Sequence, residues 1–247
     1  MFSFQKLSIL ALSLLALVGC TTTTPSNKVV LFDGKDLSQW REPAQARVPK
    51  GKWIVAQSVS LNKTNAHLFE IHPGTGIMLN GADGKVPNLR SIFEHGDCKA
   101  HIEFLVSSNS NSGVYLQGRY EVQILDSWGV EHPKDSDNGG IYHRWKNHAG
   151  YDGHAPLRNV SKRPGEWQTF DITFRAPRFD ASGKKVENGR FVKVLHNGKL
   201  IHENAEVTGP TRSPAFEKEG PTGPIILQGD HGPVAFRNLW IEPLDLK

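Results

Sequence analysis

Short runs in which apolar and polar residues alternate recur along the chain from about residue 29 onward. Gly, Pro, Asn and Asp separate these runs, and an alternation with period two is typical of half-buried strands. Beyond the N-terminal twenty residues we find no long segment with the helical period of 3.6 residues. The pattern therefore predicts an all-β protein, and so many short strands in one core favour a two-sheet antiparallel jelly-roll sandwich.

The clearest predicted strands lie at 99–106, 120–126, 168–174, 190–196, 199–203, 224–228 and 234–241. Two of them flank Asn197-Gly198, a dipeptide that suits a two-residue type I′ turn because both central positions need a positive φ. The segments on either side of this dipeptide are therefore predicted to form a β-hairpin.

The strand YEVQILD, residues 120–126, is apolar on one face and polar on the other. Successive side chains of a strand point to opposite faces, so Tyr120, Val122 and Ile124 should face the core. Glu121 and Gln123 should then share the second face. In a sandwich that face meets either plain solvent or a ligand groove, and we expect Glu121 and Gln123 to line a groove.

The N-terminus has the pattern of an export signal, with one basic residue followed by an apolar run that ends at Gly19-Cys20. The run is too short for a permanent membrane span, which needs roughly 20 apolar residues. Leu17-Val18-Gly19-Cys20 resembles a bacterial lipobox, which implies cleavage after residue 19 and acylation of Cys20. We expect a signal peptide at 1–19, a lipidated tether at 20–28 and one domain at 29–247, in an exported lipoprotein anchored in the periplasm or at the cell surface.

Charge and motifs exclude several classes of function. The formal net charge is +4, and the basic residues are scattered, which does not fit a nucleic-acid-binding surface. Cys98 has no intrachain partner if Cys20 carries lipid, so no disulfide framework is expected. The chain has no GxGxxG, P-loop, HExxH or GxSxG motif, and nucleotide-driven or serine-hydrolase chemistry loses support.

The central region, residues 109–158, is rich in proton-active side chains and includes His143. Most of these residues suit a solvated loop. Trp128 and Trp145 flank the same region, and indole rings either stack on sugar rings or pack in a core. Asp126 is a further candidate for substrate binding.

Five separated motifs resemble the 3-keto-disaccharide hydrolase domain family, a concanavalin A-like jelly-roll family. They are LFDGKDLSQW (31–40), NSGVYLQGRYEVQILD (111–126), GEWQTFDITFRAPRFD (165–180), VLHNGKLI (194–201) and GPIILQGDHGPVAFRNLWI (223–241). The resemblance spans essentially the whole mature chain. It implies cleavage of glycosides that have been oxidised at C3 of the sugar by a separate sugar 3-dehydrogenase.

A ketone at C3 acidifies the hydrogen on C2, so the glycosidic bond can break by proton abstraction and elimination. The resemblance and the strand geometry then indicate Glu121 as the base, with His231 or His143 as its acid/base partner. Gln123 and Arg119 would contact hydroxyls or the enolate. Glu121 with a histidine would also suit a divalent cation that polarises the keto oxygen, and the sequence leaves these two versions open.

Two other functions remain open at this point. A surface carbohydrate-binding module would need stacking aromatics but no perturbed acid or base. Conventional hydrolysis of an unmodified glycoside would need two carboxylates. Asp126 should project away from Glu121, so no second carboxylate is evident from the sequence. The sugar, the linkage, the aglycone and the oligomeric state are not encoded in any of these motifs.

Overall fold

A computed structural model describes residues 27–42 and 51–247, together with Met1. Within these ranges the secondary structure is β-strand, without a helix, and the described residues contain no helix able to span a membrane. The predicted signal peptide, Cys20 and most of the tether lie outside the described residues. An all-β fold is the class that the alternating pattern predicted.

Seventeen strands are present in the described part of the chain. They are β1 Val29–Phe32, β2 Trp40–Arg41, β3 Ile54–Leu61, β4 Phe69–Leu79, β5 Leu89–His95, β6 Cys98–Val106, β7 Asn111–Leu116, β8 Tyr120–Leu125, β9 Arg144–Lys146, β10 Ala149–Tyr151, β11 Gln168–Arg175, β12 Arg178–Phe179, β13 Lys185–Glu187, β14 Gly189–His196, β15 Lys199–Val207, β16 Gly223–Leu227 and β17 Val234–Pro243.

Two antiparallel sheets form the sandwich. The larger, eight-stranded sheet has the order β15-β14-β11-β6-β17-β4-β3, with β1 paired to β17, and the smaller sheet has the order β2-β5-β16-β7-β8. Besides consecutive pairs such as β7 and β8, each sheet pairs strands that are far apart in sequence, for example β6 and β17 or β5 and β16. This crossing connectivity, with one sheet packed on the other, is the jelly-roll arrangement.

The main core lies between the two sheets. Phe104 on β6 and Phe170 on β11 come from the large sheet, and their ring centroids are 4.7 Å apart. Tyr120, Val122 and Ile124 on β8 come from the small sheet and are fully buried in the same cluster. Burial of one such side chain contributes roughly 1.5–3 kcal/mol, so this continuous cluster holds the sandwich together. Cys98 is buried there as a free thiol.

The predicted strands agree with the structure to within a few residues at their ends. The predicted hairpin is also confirmed: β14 and β15 pair antiparallel, and Asn197 and Gly198 have φ values of 50° and 73°. The hairpin therefore turns where both residues adopt the left-handed region that this dipeptide accepts readily.

Strand β8 lies at the edge of the small sheet, and the segment 139–142 runs along its free side. Gly139 N donates to Gln123 O at 2.8 Å, Gln123 N donates to Gly140 O at 2.8 Å, and Tyr142 N donates to Glu121 O at 3.0 Å. The backbone of β8 is thus bonded on both sides. This pairing fixes the direction in which the Glu121 and Gln123 side chains leave the strand, away from the core.

Candidate functional site

A groove of about 450 Å³ lies where the outer face of the small sheet meets the loops that carry residues 142, 212–213 and 230–231. Its lining is almost entirely polar or aromatic. The lining residues are Asn88, Asn111, Tyr115, Glu121, Gln123, Tyr142, Arg212, Ser213, Gln228, Asp230 and His231. The groove therefore brings together Glu121, Gln123 and His231, three of the residues predicted from the sequence.

The β7–β8 hairpin sets the floor of this groove. Tyr115 is paired with Glu121, and Gly113 is paired with Gln123. A Cβ placed on Gly113 would lie 2.0 Å from Glu121 Oε1. The carboxyl of Glu121 therefore occupies the space that a side chain at position 113 would fill, and only glycine leaves room for it.

Glu121 is buried on the groove floor, with 3% of its surface exposed. This burial raises the pKa of the Glu121 carboxyl to about 8, because the charged form loses its hydration, while a hydrogen bond from Tyr115 opposes the rise. The pKa of Tyr115 is itself raised by burial and by the nearby Glu121 and Asp230. A carboxyl with a pKa near neutrality can both take up and release a proton under physiological conditions.

The Gln123 amide lies beside the Glu121 carboxyl. Of its two amide orientations, the one that satisfies its neighbours directs Nε2 at Glu121 Oε1, 3.3 Å away, and at the carbonyl of Ser112, 3.2 Å away. The amide oxygen then faces Asn111. Gln123 therefore orients the carboxyl from one side, and Tyr115 does so from the other.

The rim of the groove carries charged side chains. The imidazole of His231 is about half exposed, and its Nδ1 lies 2.5 Å from Asp230 Oδ1. Because Asp230 binds Nδ1, the second ring nitrogen of His231 is left for a ligand. Arg212 also lines the groove, and among the described residues its guanidinium forms no salt bridge.

Three predicted residues lie elsewhere. Arg119 is buried and donates to the carbonyl oxygens of Gln117, Lys218 and Thr222, so its guanidinium ties together backbone segments and does not line the groove. Asp126 follows the last residue of β8, accepts a hydrogen bond from Asn109 N at 3.0 Å and does not line the groove.

Trp128, the third of these residues, is 46% exposed and lies under the guanidinium of Arg163. It does not line the groove either. The structure thus places the binding candidates Arg119, Asp126 and Trp128 outside the cluster formed by Glu121, Gln123 and His231.

His143 and Trp145 lie next to the groove without lining it. His143 stacks on Tyr142, with centroids 4.3 Å apart, and its Nδ1 lies 3.0 Å from Asp135 Oδ2. Trp145 is 45% exposed, and the Arg212 guanidinium lies 4.0 Å from its ring centroid. Tyr142 and Arg212 therefore separate these two residues from the Glu121 carboxyl.

The side chains of the groove include three possible ligands for a divalent metal. Glu121, Asp230 and His231 line the same groove, but across the described ranges no three His, Cys, Asp or Glu side chains converge as a metal-binding group. These donors therefore do not fit a divalent metal held by the protein.

Sequence reasoning missed most of the groove. Tyr115 and Gly113 could have been found from the sequence. A tight turn at Gln117-Gly118 sets the register of the hairpin, which pairs Tyr115 with Glu121 and Gly113 with Gln123. For Tyr142, Arg212 and Asp230 no local pattern was available. They lie on loops, and long-range folding alone brings them to the groove.

Comparisons with known proteins place this chain in a family. Residues 27–242 match the family model described as the 3-keto-alpha-glucoside-1,2-lyase-like domain. A Parabacteroides distasonis protein whose crystal structure is provisionally described as a glycosyl hydrolase is 31% identical, with a TM-score of 0.61, over 89% of this chain and 84% of that one.

A second such protein from the same organism is 20% identical, with a TM-score of 0.54, over 88% of this chain and 99% of that one, and shows the same fold. A search of curated proteins finds no match. The family model and the 31% identical relative both cover most of the chain, and they agree with the motifs in the sequence. The chain therefore belongs to the 3-keto-alpha-glucoside-1,2-lyase-like domain family, the family that its five motifs resemble.

Proposed function

We propose that this protein is a carbohydrate-active enzyme that cleaves the glycosidic bond of 3-keto-glycosides. In such a substrate the C3 ketone acidifies the C2 hydrogen. Loss of that proton and departure of the aglycone oxygen from C1 give an unsaturated keto sugar and a free alcohol. Addition of water to the new double bond then gives the 3-keto sugar, so the overall reaction is a hydrolysis.

The observation that carries the proposal is the buried Glu121 carboxyl, whose pKa is raised to about 8, on the floor of a polar groove. Burial of a carboxyl without a charged partner costs free energy of folding. Acids whose pKa is strongly shifted by such burial concentrate at catalytic sites. A carbohydrate-binding module needs hydroxyl-pairing side chains but no such group. This difference favours an enzyme over a binding module.

The groove side chains suit the three tasks of the elimination. Glu121, as carboxylate, takes the proton from C2, and its raised pKa makes it a stronger base than an ordinary glutamate. Arg212 offers N–H donors to the enolate oxygen or to sugar hydroxyls, the role that the sequence suggested for Gln123 and Arg119. The two amide N–H groups of Gln123 are bonded to Glu121 and Ser112, so Gln123 orients the carboxylate instead. His231, whose Nδ1 is held by Asp230, protonates the departing aglycone oxygen through Nε2.

His143 is a less direct candidate for the acid. It stacks on Tyr142, and Tyr142, not His143, lines the groove and bonds the Glu121 backbone. We further propose that the enzyme is exported and held on a membrane by lipid on Cys20, with residues 20–28 as the tether. A separate sugar 3-dehydrogenase would supply its substrate, because the reaction requires a sugar that is already oxidised at C3.

Cleavage of a 3-keto-disaccharide and of the same disaccharide unoxidised tests the proposal. We expect the wild type to cleave only the oxidised form. We expect Glu121→Gln to lose at least about a hundredfold in kcat/KM, the lower end of the effect typical of general acid–base catalysis, roughly 10²–10⁴-fold. Asp126→Asn is the matched control, since its carboxylate follows the same strand but lies outside the groove. Wild-type cleavage by Glu121→Gln would remove Glu121 from the mechanism.

Asp230 supports a second candidate function. It lines the groove with Glu121 and supplies the second carboxylate that the sequence did not reveal. Two carboxylates across a glycosidic bond are the arrangement for conventional hydrolysis of an unmodified sugar. In the experiment above, cleavage of the unoxidised disaccharide at a rate similar to that of the oxidised one would favour this alternative, and binding of both without turnover would favour a binding module.

A further inference from the structure

A chain of ring systems leads from the groove to the surface. Tyr142 lines the groove and stacks on His143, with centroids 4.3 Å apart, and the His143 and Trp145 rings are 5.8 Å apart. Arg212, which also lines the groove, covers Trp145 at 4.0 Å. Trp145 therefore lies immediately beyond the groove wall, with 45% of its surface exposed.

The hairpin that carries Trp145 is held firmly in place. Strands β9 and β10 pair Trp145 with Gly150, and a Cβ on Gly150 would lie 2.6 Å from His143 Cδ2. The absence of a side chain at position 150 thus lets the hairpin lie directly against the His143 ring. His143 is fixed in turn by Asp135, and its carbonyl accepts a hydrogen bond from Arg212 N at 2.9 Å.

An exposed tryptophan gains nothing from the folding core, yet several contacts fix its position at the rim. A fixed indole presents a flat apolar surface that can stack on a planar or pyranose ring without a large loss of side-chain entropy. The neighbouring Arg212 guanidinium adds a planar cation, which favours contact with π-systems and with sugar hydroxyls.

We propose that Trp145, with Arg212, forms a subsite for the aglycone and that it selects 3-keto-glycosides whose leaving group is a ring, either aromatic or pyranosyl. The assignment rests on the proposed function for its substrate class. The sugar ring that carries the ketone would lie over Glu121, and the leaving group would extend along the Tyr142 wall onto Trp145. A small leaving group such as methoxide would not reach the hairpin.

Binding calorimetry on the Glu121→Gln protein tests this subsite without turnover. The probes are phenyl and methyl 3-keto-glucosides. We expect Trp145→Ala, added to Glu121→Gln, to weaken binding of the phenyl compound about tenfold and to leave binding of the methyl compound within twofold. Trp128→Ala is the matched control, because Trp128 is equally exposed and also lies under an arginine but is away from the groove.

Equal weakening for both compounds, no weakening, a similar effect of Trp128→Ala or no measurable binding of either compound would overturn the subsite. Turnover of the same two compounds by the wild-type protein is measured separately. Selective weakening by Trp145→Ala without wild-type turnover would refute the proposed function and leave the subsite standing. Wild-type turnover of the compounds, with no effect of Trp145→Ala on binding, would refute the subsite and leave the proposed function standing.

Discussion

At the scale of single residues, the site depends on a glycine as much as on a carboxyl. Glu121 Oε1 occupies the place of a side chain at position 113, and Gln123 and Tyr115 flank the carboxyl on either side. The direction of Glu121 followed from strand alternation alone. The need for Gly113 did not, because it arises from the pairing of two strands and not from either strand by itself.

Gly113→Ala should therefore impair catalysis more than folding. The added methyl must displace the Glu121 carboxyl, and misplacement of a catalytic group by about 1 Å can cost on the order of 100-fold in rate. We expect kcat/KM for a 3-keto-glycoside to fall by about that factor. Gly96→Ala is the control, since a Cβ there would meet only Pro221 O at an ordinary 3.4 Å. Equal activities of the two variants would contradict the close contact at position 113.

At the scale of elements, a buried polar network fixes the loop that runs beside β8. Gln168 Oε1 on β11 accepts hydrogen bonds from His196 Nε2 at 2.9 Å and from Lys162 N at 3.0 Å. Asn138, in the loop, lies 3.4 Å from the same oxygen. Burial lowers the pKa of His196 to about 3, so the ring stays neutral and its Nε2 carries the donated proton.

Gln168→Leu should remove this acceptor and leave buried donors unpaired. We expect the free energy of unfolding to fall by about 2 kcal/mol, the typical cost of an unsatisfied buried polar group. Urea denaturation measures the change. Thr173→Val on the same strand is the control, because no hydrogen bond of its hydroxyl is found in the described part of the chain and its side chain faces away from the core. A loss no larger than that of the control would show that the network contributes nothing.

The strands were predictable because each is a local pattern. Alternation gave β6, β8, β11 and β14, and the Asn197-Gly198 dipeptide gave the β14–β15 hairpin, whose register the structure confirms. The segment 126–167, with the short β9–β10 hairpin inside it, was not predictable in this way. Its position depends on Asn138, Gln168 and His196, which are distant in sequence and carry no local signal of their contact.

At the scale of the whole molecule, the sandwich divides its two tasks between the faces of the small sheet. The inner face packs Tyr120, Val122 and Ile124 against the large sheet, and the outer face carries Glu121 and Gln123. The fold class and family were accessible from sequence because strand periodicity and the motifs recur along the chain from about residue 29 onward. The complete groove was not accessible, since its walls come from residues 88, 142, 212–213 and 228–231, which meet only in the folded protein.

The central claim is that Glu121 removes the C2 proton of a 3-keto sugar, and deuterium exchange at C2 tests it most directly. A 3-keto sugar with hydrogen in place of the aglycone at C1 has no aglycone to lose. Exchange of its C2 hydrogen in D₂O therefore reports proton abstraction by the base and does not depend on the acid that protonates the leaving oxygen. We expect catalysed exchange to rise about tenfold per pH unit until about pH 8, where the Glu121 carboxyl is deprotonated, and to be absent in Glu121→Gln. Exchange that is equal in both proteins, or that falls as the pH rises toward 8, would contradict the account.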